Sequence, residues 1–244
     1  MSDIFTTAAL VSLLTLTFLE IVLGIDNIIF ISIVAGKLPK SQQKRARTIG
    51  LMLALVMRVG LLAAISWLAS AESSLFELPF SFLSHEARSI SIRDLILFIG
   101  GLFLMSKSTT EIHSKIEGEK EKAVKNAKAL TLNIAVAQIV MLDIVFSFDS
   151  ILTAVGLTNH LEIMISAVII SMLIMLAFAE KVSNFVNDHP TVKMLALSFL
   201  LMIGMLLVLD AFAVHVPKGY IYFSIAFSLF VEMLNLRMRK KEVK

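Results

Sequence analysis

The chain alternates between long apolar runs and shorter polar, charged segments. A helix needs about 20 apolar residues to cross a bilayer, and most of the runs reach that length. The pattern predicts seven transmembrane helices, over residues 8–35, 47–70, 92–107, 129–157, 161–180, 193–214 and 219–236. All four prolines fall between these spans, where a missing backbone N–H costs least. The predicted fold class is therefore an all-α polytopic membrane protein.

The amino-acid composition supports this class. Hydrophobic residues make up 57% of the chain, whereas about 45–50% apolar residues are usual in a soluble domain. The chain has no cysteine, which excludes disulfides and thiolate metal sites. Its first residues lack the basic segment of a secretory signal, so we expect the first apolar run to remain as a membrane helix. The lipid bilayer is thus the first partner that the sequence predicts.

Positive charge is distributed unevenly between the predicted loops. Of the 22 lysine and arginine residues, 18 lie in the first, third and fifth loops and in the C-terminal tail. Cytoplasmic loops carry the excess of positive charge. We therefore predict an N-terminus outside and a C-terminus in the cytoplasm. The pI of about 9.1 follows from this topology, and no nucleic-acid partner is predicted.

Two of the predicted spans carry acidic residues in their interiors, within Leu16–Ile33 and Ile139–Val155. In each stretch a carboxylate is followed six residues later by an aspartate and then directly by a small polar residue. These residues are Glu20, Asp26 and Asn27 in the first stretch, and Asp143, Asp149 and Ser150 in the second. Ionisable groups are costly inside a membrane span and by default mark a pathway or a binding site. Their repetition at an offset of 123 residues argues against accident.

The two acidic stretches also predict an inverted repeat. They lie in the first and fourth spans, so the second copy would cross the membrane in the opposite direction. Transporters built from such repeats place their site near the middle of the membrane, at the repeat interface. The predicted organisation is a first three-helix repeat at 1–107, a charged cytoplasmic linker at 108–128, a second three-helix repeat at 129–214, and a seventh helix with a basic tail at 215–244.

Helix geometry limits how the acids of one stretch can meet. Residues six apart are separated by about 9 Å of rise and about 240° around the axis, so Glu20 and Asp26 cannot hold one ion on a straight helix. A helix break at Gly24 would change this. Alternatively, antiparallel packing of the two spans would form a ladder of carboxylates across the membrane. In that ladder Glu20 lies level with Asp149, and the second layer joins Asp26 to Asp143.

Four carboxylates, with the side chains of Asn27 and Ser150, make a strongly anionic site of oxygen atoms. Such a site suits a hard divalent cation, namely Mn²⁺, Ca²⁺ or Mg²⁺. The lack of cysteine, and of histidine near either stretch, argues against zinc or copper. We expect this cation to be transported cargo, with no permanently bound cofactor.

Two further charged residues bear on the predicted site. Arg58 lies about halfway along the second span, and we expect it to be a counter-charge that pairs with Asp26 or Asp143. Asp210, in the sixth span, lies either close behind the site or at the outer interface. An alternative is that the acids are neutral or capped by Arg58 and serve helix packing alone.

Four segments of the chain resemble the TerC-type integral membrane proteins, in the bacterial branch without appended soluble domains. They are FLEIVLGIDNIIF, LDIVFSFDSILTAVGL, RDLILFIGGLFL and HPTVKMLALSFL. The resemblance implies manganese export and metal homeostasis, and a link to tellurium-ion resistance through the founding member of the family. It also implies a distant relation to cation/proton exchangers and to the lysine-exporter superfamily. By resemblance, the six residues of the paired acidic stretches are the positions of the metal pathway.

The leading hypothesis is a multi-pass transporter of the bacterial inner membrane that exports a divalent cation, Mn²⁺ above others, by alternating access. Carboxylates lose protons to bind a cation, so protons would serve as the counter-ion. Rival hypotheses are export of a small organic solute, and a non-transporting membrane scaffold that contributes to stress resistance. We expect no enzyme activity, because the chain has no evident nucleophile–base pair or phosphate-binding loop.

Overall fold

The computed structural model describes residues 7–64, 74–77, 89–117, 130–158, 160–214 and 216–242. Helices account for most of this part of the chain. They are α1 (Thr7–Gly36), α2 (Lys40–Ala63), α3 (Ile92–Ile116), α4 (Leu132–Leu157), α5 (Leu161–Asp188), α6 (Pro190–Ala211) and α7 (Lys218–Glu242).

Two short strands, β1 (Ser74–Glu77) and β2 (Ser89–Ser91), form an antiparallel hairpin ahead of α3. In this hairpin Ser74 is opposite Ser91 and Glu77 is opposite Ser89. The hydropathy pattern did not predict the hairpin, because strands this short leave too few residues to establish a period of two. The helical character of the rest of the described chain agrees with the prediction.

Six of the helices, namely α1, α2, α3, α5, α6 and α7, are long and apolar enough to cross a membrane. Helix α4 has 26 residues, or about 39 Å at a rise of 1.5 Å per residue. The part of it with described side chains contains the apolar stretch Leu132–Phe148. A helical protein with six to seven membrane-spanning segments is therefore confirmed. The count of seven, the inverted repeat and the orientation stay predictions.

Each helix overlaps its predicted span but differs from it at the ends. Helix α2 begins at Lys40 and ends at Ala63, whereas the second span was predicted over 47–70, of which 65–70 lie outside the described residues. Helix α3 continues to Ile116, although the third span was predicted to end at residue 107. Its start is fixed by a capping box, in which Ser91 and Asp94 each accept a hydrogen bond from the backbone N–H of the other. Helix α5 likewise continues to Asp188. Hydropathy falls where a helix leaves the apolar layer, whereas backbone hydrogen bonding carries on through polar residues that tolerate a helix.

The helices group into two compact units. One unit comprises residues 1–73 and 128–187, and the other comprises residues 74–127 and 188–244. The first unit thus contains α1, α2, α4 and α5, while the second contains the hairpin, α3, α6 and α7. Each unit takes helices from both of the predicted repeats.

Within the first unit, α4 packs against both α1 and α2. A glycine makes the contact with α2 close: a Cβ added at Gly50 would stand 2.8 Å from Cγ2 of Ile139. A second glycine lies on α1, where a Cβ at Gly24 would stand 2.3 Å from the sulfur of Met175 on α5. Small residues let membrane helices approach closely. The packing of α4 against α1 places the two acidic stretches side by side.

Within the second unit, α3 and α6 pack together most closely at Gly101 and Gly204. A Cβ added at Gly101 would stand 2.6 Å from the carbonyl oxygen of Gly204, and one at Gly204 would stand 2.9 Å from the carbonyl oxygen of Gly101. The two backbones therefore touch without intervening side chains. Any larger residue at either position would force these helices apart.

Candidate functional site

Arg58 occupies the buried face of α2 in the first unit. Its side chain is 3% exposed, and it lies 18 residues beyond the start of the helix at Lys40. A permanently charged guanidinium at this depth in a membrane span requires partners of opposite charge. The partners come from α1 and α4, the two helices that carry the acidic stretches.

Two carboxylates bind the Arg58 guanidinium. Nη1 donates to Oε2 of Glu20 at 2.6 Å. On its other side, Nη2 donates to Oδ1 of Asp143 at 2.8 Å, and Nε lies 3.2 Å and 3.1 Å from the two oxygens of the same carboxylate. Charge-assisted bonds of this two-pronged kind are among the strongest in proteins. With all three groups ionised, the cluster carries a net charge of −1.

Asp143 also accepts hydrogen bonds from two neutral side chains. Asn27 donates from Nδ2 to Oδ1 at 3.0 Å, and Ser147 donates from its hydroxyl to Oδ2 at 3.2 Å. The hydroxyl of Ser150 lies close to the carboxylate of Glu20. Glu20, Asp143, Asn27 and both serines are all buried. The described site is therefore a carboxylate pair, bridged by one arginine and lined by amide and hydroxyl groups.

One polar atom of this site lacks a hydrogen-bond partner among the described residues. Among the described residues, no hydrogen bond reaches Oδ1 of Asn27, although the side chain is only 4% exposed. A carboxylate can only accept, so the amide nitrogen must face Asp143 and the carbonyl oxygen must point elsewhere. A buried carbonyl oxygen without a partner is costly. Such an oxygen is also a typical ligand for hard cations, so these residues fit a divalent ion as cargo.

The structure places the predicted counter-charge beside the predicted acid and adds a second partner. The pairing of Arg58 with Asp143 is present, and the pairing with Glu20 was not anticipated. The ladder put Glu20 and Asp143 in different layers, whereas one guanidinium now joins them. The helix break at Gly24 is wrong, because α1 runs unbroken from Thr7 to Gly36. Gly24 instead provides room for a side chain from α5.

Three predicted residues are not joined to this cluster by the described contacts. Asp26 and Asp149 lie on α1 and α4, but their side chains are outside the described residues. Asp210 belongs to the second unit, near the end of α6. Among described histidine, aspartate and glutamate side chains, no group of three is close enough to hold a metal ion. The four-carboxylate cage and a place for Asp210 beside it stay predictions.

Ser147 is the member of the site that sequence reasoning missed. It follows Asp143 by four residues, so both side chains lie on the same face of α4. This spacing was the available signal. A serine in an apolar span is otherwise unremarkable, because its hydroxyl commonly bonds to the carbonyl of the preceding turn.

Comparisons with known proteins agree with the sequence pattern. A model of the integral membrane protein TerC family matches residues 5–244. The UPF0053 inner membrane protein YgdQ of Escherichia coli (strain K12) is 53% identical over 227 residues, which cover 93% of this chain and 92% of that relative. A UPF0053 protein of Haemophilus influenzae is 45% identical over 232 residues, 95% of both chains. No solved structure matches.

A longer relative matches over part of its length only. The UPF0053 inner membrane protein YoaE of Escherichia coli (strain K12) is 48% identical over 233 residues, which cover 95% of this chain but 43% of YoaE. Relatives named as inner membrane proteins and six helices able to span a bilayer together confirm a multi-pass protein of the inner membrane.

Proposed function

We propose that this chain, which belongs to the TerC family of integral membrane proteins, exports hard divalent cations with Mn²⁺ as the main cargo. The observation that carries the proposal is the buried cluster of Glu20, Arg58 and Asp143, with the unpartnered Oδ1 of Asn27 beside it. These groups lie in helices of membrane-spanning length. Carboxylate and amide oxygens are the ligands that Mn²⁺, Ca²⁺ and Mg²⁺ prefer. The choice of Mn²⁺ among them comes from the family resemblance.

Cargo and Arg58 would compete for the same oxygen atoms. Arg58 neutralises one of the two negative charges of Glu20 and Asp143, and a bound divalent cation would neutralise both. We expect a cation on these carboxylates to displace the guanidinium, because two positively charged groups repel each other at the same pair of carboxylates. Arg58 would return when the cation leaves. The cluster thereby stays partly neutralised at each stage, which limits the cost of burying its charges.

Protons are the proposed counter-ion. A carboxylate binds a cation only in its ionised form, so cation binding and proton release are linked. Alternating access would then expose the site to the cytoplasm for loading and to the outside for release, with the N-terminus outside and the C-terminus in the cytoplasm. We propose transport without enzyme activity, because the described site consists of two acids, an amide, hydroxyls and one guanidinium that binds both acids.

A non-transporting scaffold is the main rival, and the same ion pairs are the observation that favours it. Arg58, held by two carboxylates from two other helices, would lock three helices together whether or not an ion passes. A part in tellurium-ion resistance would suit such a scaffold. Export of a small organic solute is a weaker rival, because the described site offers more negative than positive charge.

Flux through reconstituted protein separates these proposals. We expect the purified chain in proteoliposomes to move Mn²⁺, and an imposed pH gradient to accelerate the flux. Asp143→Asn should abolish the flux while the protein still inserts. The matched control is Glu162→Gln, an exposed acid in the first turn of α5, which should leave the flux unchanged. Wild-type flux by Asp143→Asn would show that the cluster serves helix packing alone, whereas the absence of flux through the unaltered protein would favour the scaffold.

A further inference from the structure

Met175 of α5 lies directly against the acidic stretch of α1. A Cβ added at Gly24 would stand 2.3 Å from Sδ of Met175, 3.0 Å from Cε and 3.8 Å from Cγ. The thioether therefore fills the space that a side chain at position 24 would occupy. Met175 is 1% exposed, so its sulfur is held at this position by packing on all sides.

Gly24 lies on the same face of α1 as two residues of the site. It follows Glu20 by four residues and precedes Asn27 by three, and both spacings place side chains on one face of a helix. Along the axis, Glu20 is about 6 Å before Gly24 and Asn27 is about 4.5 Å after it. The sulfur of Met175 therefore lies against the backbone of α1 at the level of Gly24, which along the helix axis is between the levels of Glu20 and Asn27.

We infer that the thioether of Met175 is a selectivity element of the cation site, which favours Mn²⁺ by disfavouring Mg²⁺ and Ca²⁺. This inference rests on the proposed function. A second observation supports it independently, since the buried Oδ1 of Asn27 has no partner among the described residues. An ion bound to this oxygen would lie near the Met175 sulfur, because Gly24 precedes Asn27 by about one turn of α1.

The chemistry of sulfur explains the direction of the selectivity. Mg²⁺ and Ca²⁺ bind oxygen ligands almost exclusively, and Mg²⁺ also requires near-ideal octahedral geometry. A thioether beside the site takes the place of an oxygen or a water that these ions need. Mn²⁺ also prefers oxygen ligands, but as a transition-metal ion it accepts a sulfur neighbour in place of one oxygen more readily than Mg²⁺ and Ca²⁺ do. The site would therefore disfavour the abundant ions Mg²⁺ and Ca²⁺, because it presents sulfur where they need an oxygen ligand. Selectivity of this kind comes from an unfavourable contact with the wrong ion.

Packing alone is the competing explanation for Met175, because methionine readily fills irregular gaps such as the space over a glycine. The two explanations differ in what Met175→Leu should change. Leucine has a similar volume and conserves packing, but it has no sulfur. A packing role predicts altered stability with unchanged ion preference. A selectivity role predicts altered ion preference.

The test is a binding competition on the full-length protein in detergent. Bound Mn²⁺ is measured by the loss of the free-ion electron paramagnetic resonance signal, and Mg²⁺ or Ca²⁺ is then titrated against it. We expect both ions to displace Mn²⁺ at roughly tenfold lower concentration in Met175→Leu, at the low end of what ligand-shell changes cost in metal affinity. Met164→Leu is the matched control, because Met164 is a buried methionine of the same helix. It should leave the competition unchanged.

Each result decides between the inference and the proposed function. Mn²⁺ binding in Met175→Leu with unchanged competition would overturn the inference and leave the proposed function standing. A wild-type protein that binds no Mn²⁺ would overturn the proposed function first. If Met175→Leu does not accumulate, Met175→Gln replaces it. Glutamine supplies an oxygen, and we expect Mg²⁺ and Ca²⁺ to compete more strongly; unchanged competition in that variant would equally overturn the inference.

Discussion

Two buried arginines on one helix have different surroundings. Arg47 and Arg58 are 11 residues apart on α2, or three turns and about 16 Å, so they share one face. Both are almost fully buried, at 5% and 3% exposure. Arg58 binds two carboxylates. Arg47 donates from Nη1 to the hydroxyl of Ser183 at 3.1 Å.

The position of each arginine along α2 explains the difference. Arg47 lies in the second turn, where the exposed ends of Lys44 and Glu180 form an ion pair at 3.6 Å nearby. A guanidinium close to the polar end of a span can rely on a hydroxyl and on its charged surroundings. Arg58 lies deep in the apolar run and needs full compensation. We conclude that the two carboxylates at Arg58 are required by the depth of its guanidinium in the span.

The largest expected effect is the loss of Arg58. Arg58→Ala leaves two carboxylates buried without their cation, and breaking a buried charge pair on one side costs about 3–5 kcal/mol. Arg47→Ala removes one charged hydrogen bond, worth about 1.5–3 kcal/mol. The free energy of unfolding in a detergent titration measures both. Equal costs would show that depth in the membrane does not distinguish the two sites.

A second effect sharpens the role of charge at the deeper site. The triple variant Glu20→Gln, Arg58→Met, Asp143→Asn contains no charge in the cluster, and neutral replacement of a buried ion pair is often close to neutral for stability. We expect it to recover most of the stability lost in Arg58→Ala and to remain inactive in Mn²⁺ flux. If it unfolds as readily as Arg58→Ala, the geometry of the hydrogen bonds matters more than the charge.

Much of the fold follows from hydropathy, and the exceptions have physical reasons. Each predicted span overlaps a helix because apolar length is a property of the sequence alone. The end of α3 at Ile116 was missed because helical hydrogen bonding extends past the apolar layer. A break of α1 at Gly24 was one of two arrangements considered, but in a membrane helix a glycine more often serves close packing. Whether Gly24 bends the helix or serves close packing depends on the neighbouring helix, and here Met175 of α5 packs against it.

The site was predictable in its residue types but only partly in its pairings. A buried arginine requires an acid, and this rule is enough to suggest Asp143 as a partner of Arg58. The rule could not suggest Glu20, because the rotation of α1 against α2 depends on packing and not on spacing within one helix. The same limit applies to Met175, whose closeness to Gly24 is a contact between two distant segments. Sequence spacing describes one helix at a time.

A smaller effect tests how the shared face of α2 is held against α4. Gly50 lies between the two arginines, and a methyl there would meet Ile139 at 2.8 Å. Gly50→Ala should cost about 1–3 kcal/mol through overpacking, and it should also weaken Mn²⁺ flux, since Ile139 lies one turn before Asp143. Gly60→Ala is the control. Apart from the backbone of its own helix, no described atom lies within 4 Å of a Cβ added at Gly60, so alanine there should stabilise α2 by about 0.5–1 kcal/mol. If Gly50→Ala and Gly60→Ala changed stability and Mn²⁺ flux to the same extent, the close packing of Gly50 against Ile139 would be contradicted.

The smallest expected effects come from removing one hydroxyl at each arginine. Ser147→Ala takes one donor from Asp143, which keeps Arg58 and Asn27, so we expect a loss near the lower end of about 0.5–1.5 kcal/mol. Ser183→Ala takes the acceptor from Nη1 of Arg47 and leaves a buried donor unpaired, at a cost of about 1–3 kcal/mol. The free energies of unfolding of the two variants, measured in the same detergent titration, give the comparison.

The expected order reverses that of the arginine variants, and the reversal is what makes the pair informative. Where a guanidinium is held by two carboxylates, a neighbouring hydroxyl is redundant, and its loss is absorbed by the remaining bonds. Where the hydroxyl is itself the acceptor for the guanidinium, no other described bond replaces it, and its loss lowers the free energy of unfolding by the full cost of an unpaired donor. If Ser147→Ala lowered the free energy of unfolding more than Ser183→Ala, the Ser147 hydroxyl would help to fix the orientation of the Asp143 carboxylate. In that case Ser147→Ala should also weaken Mn²⁺ binding, whereas Ser183→Ala should leave it unchanged.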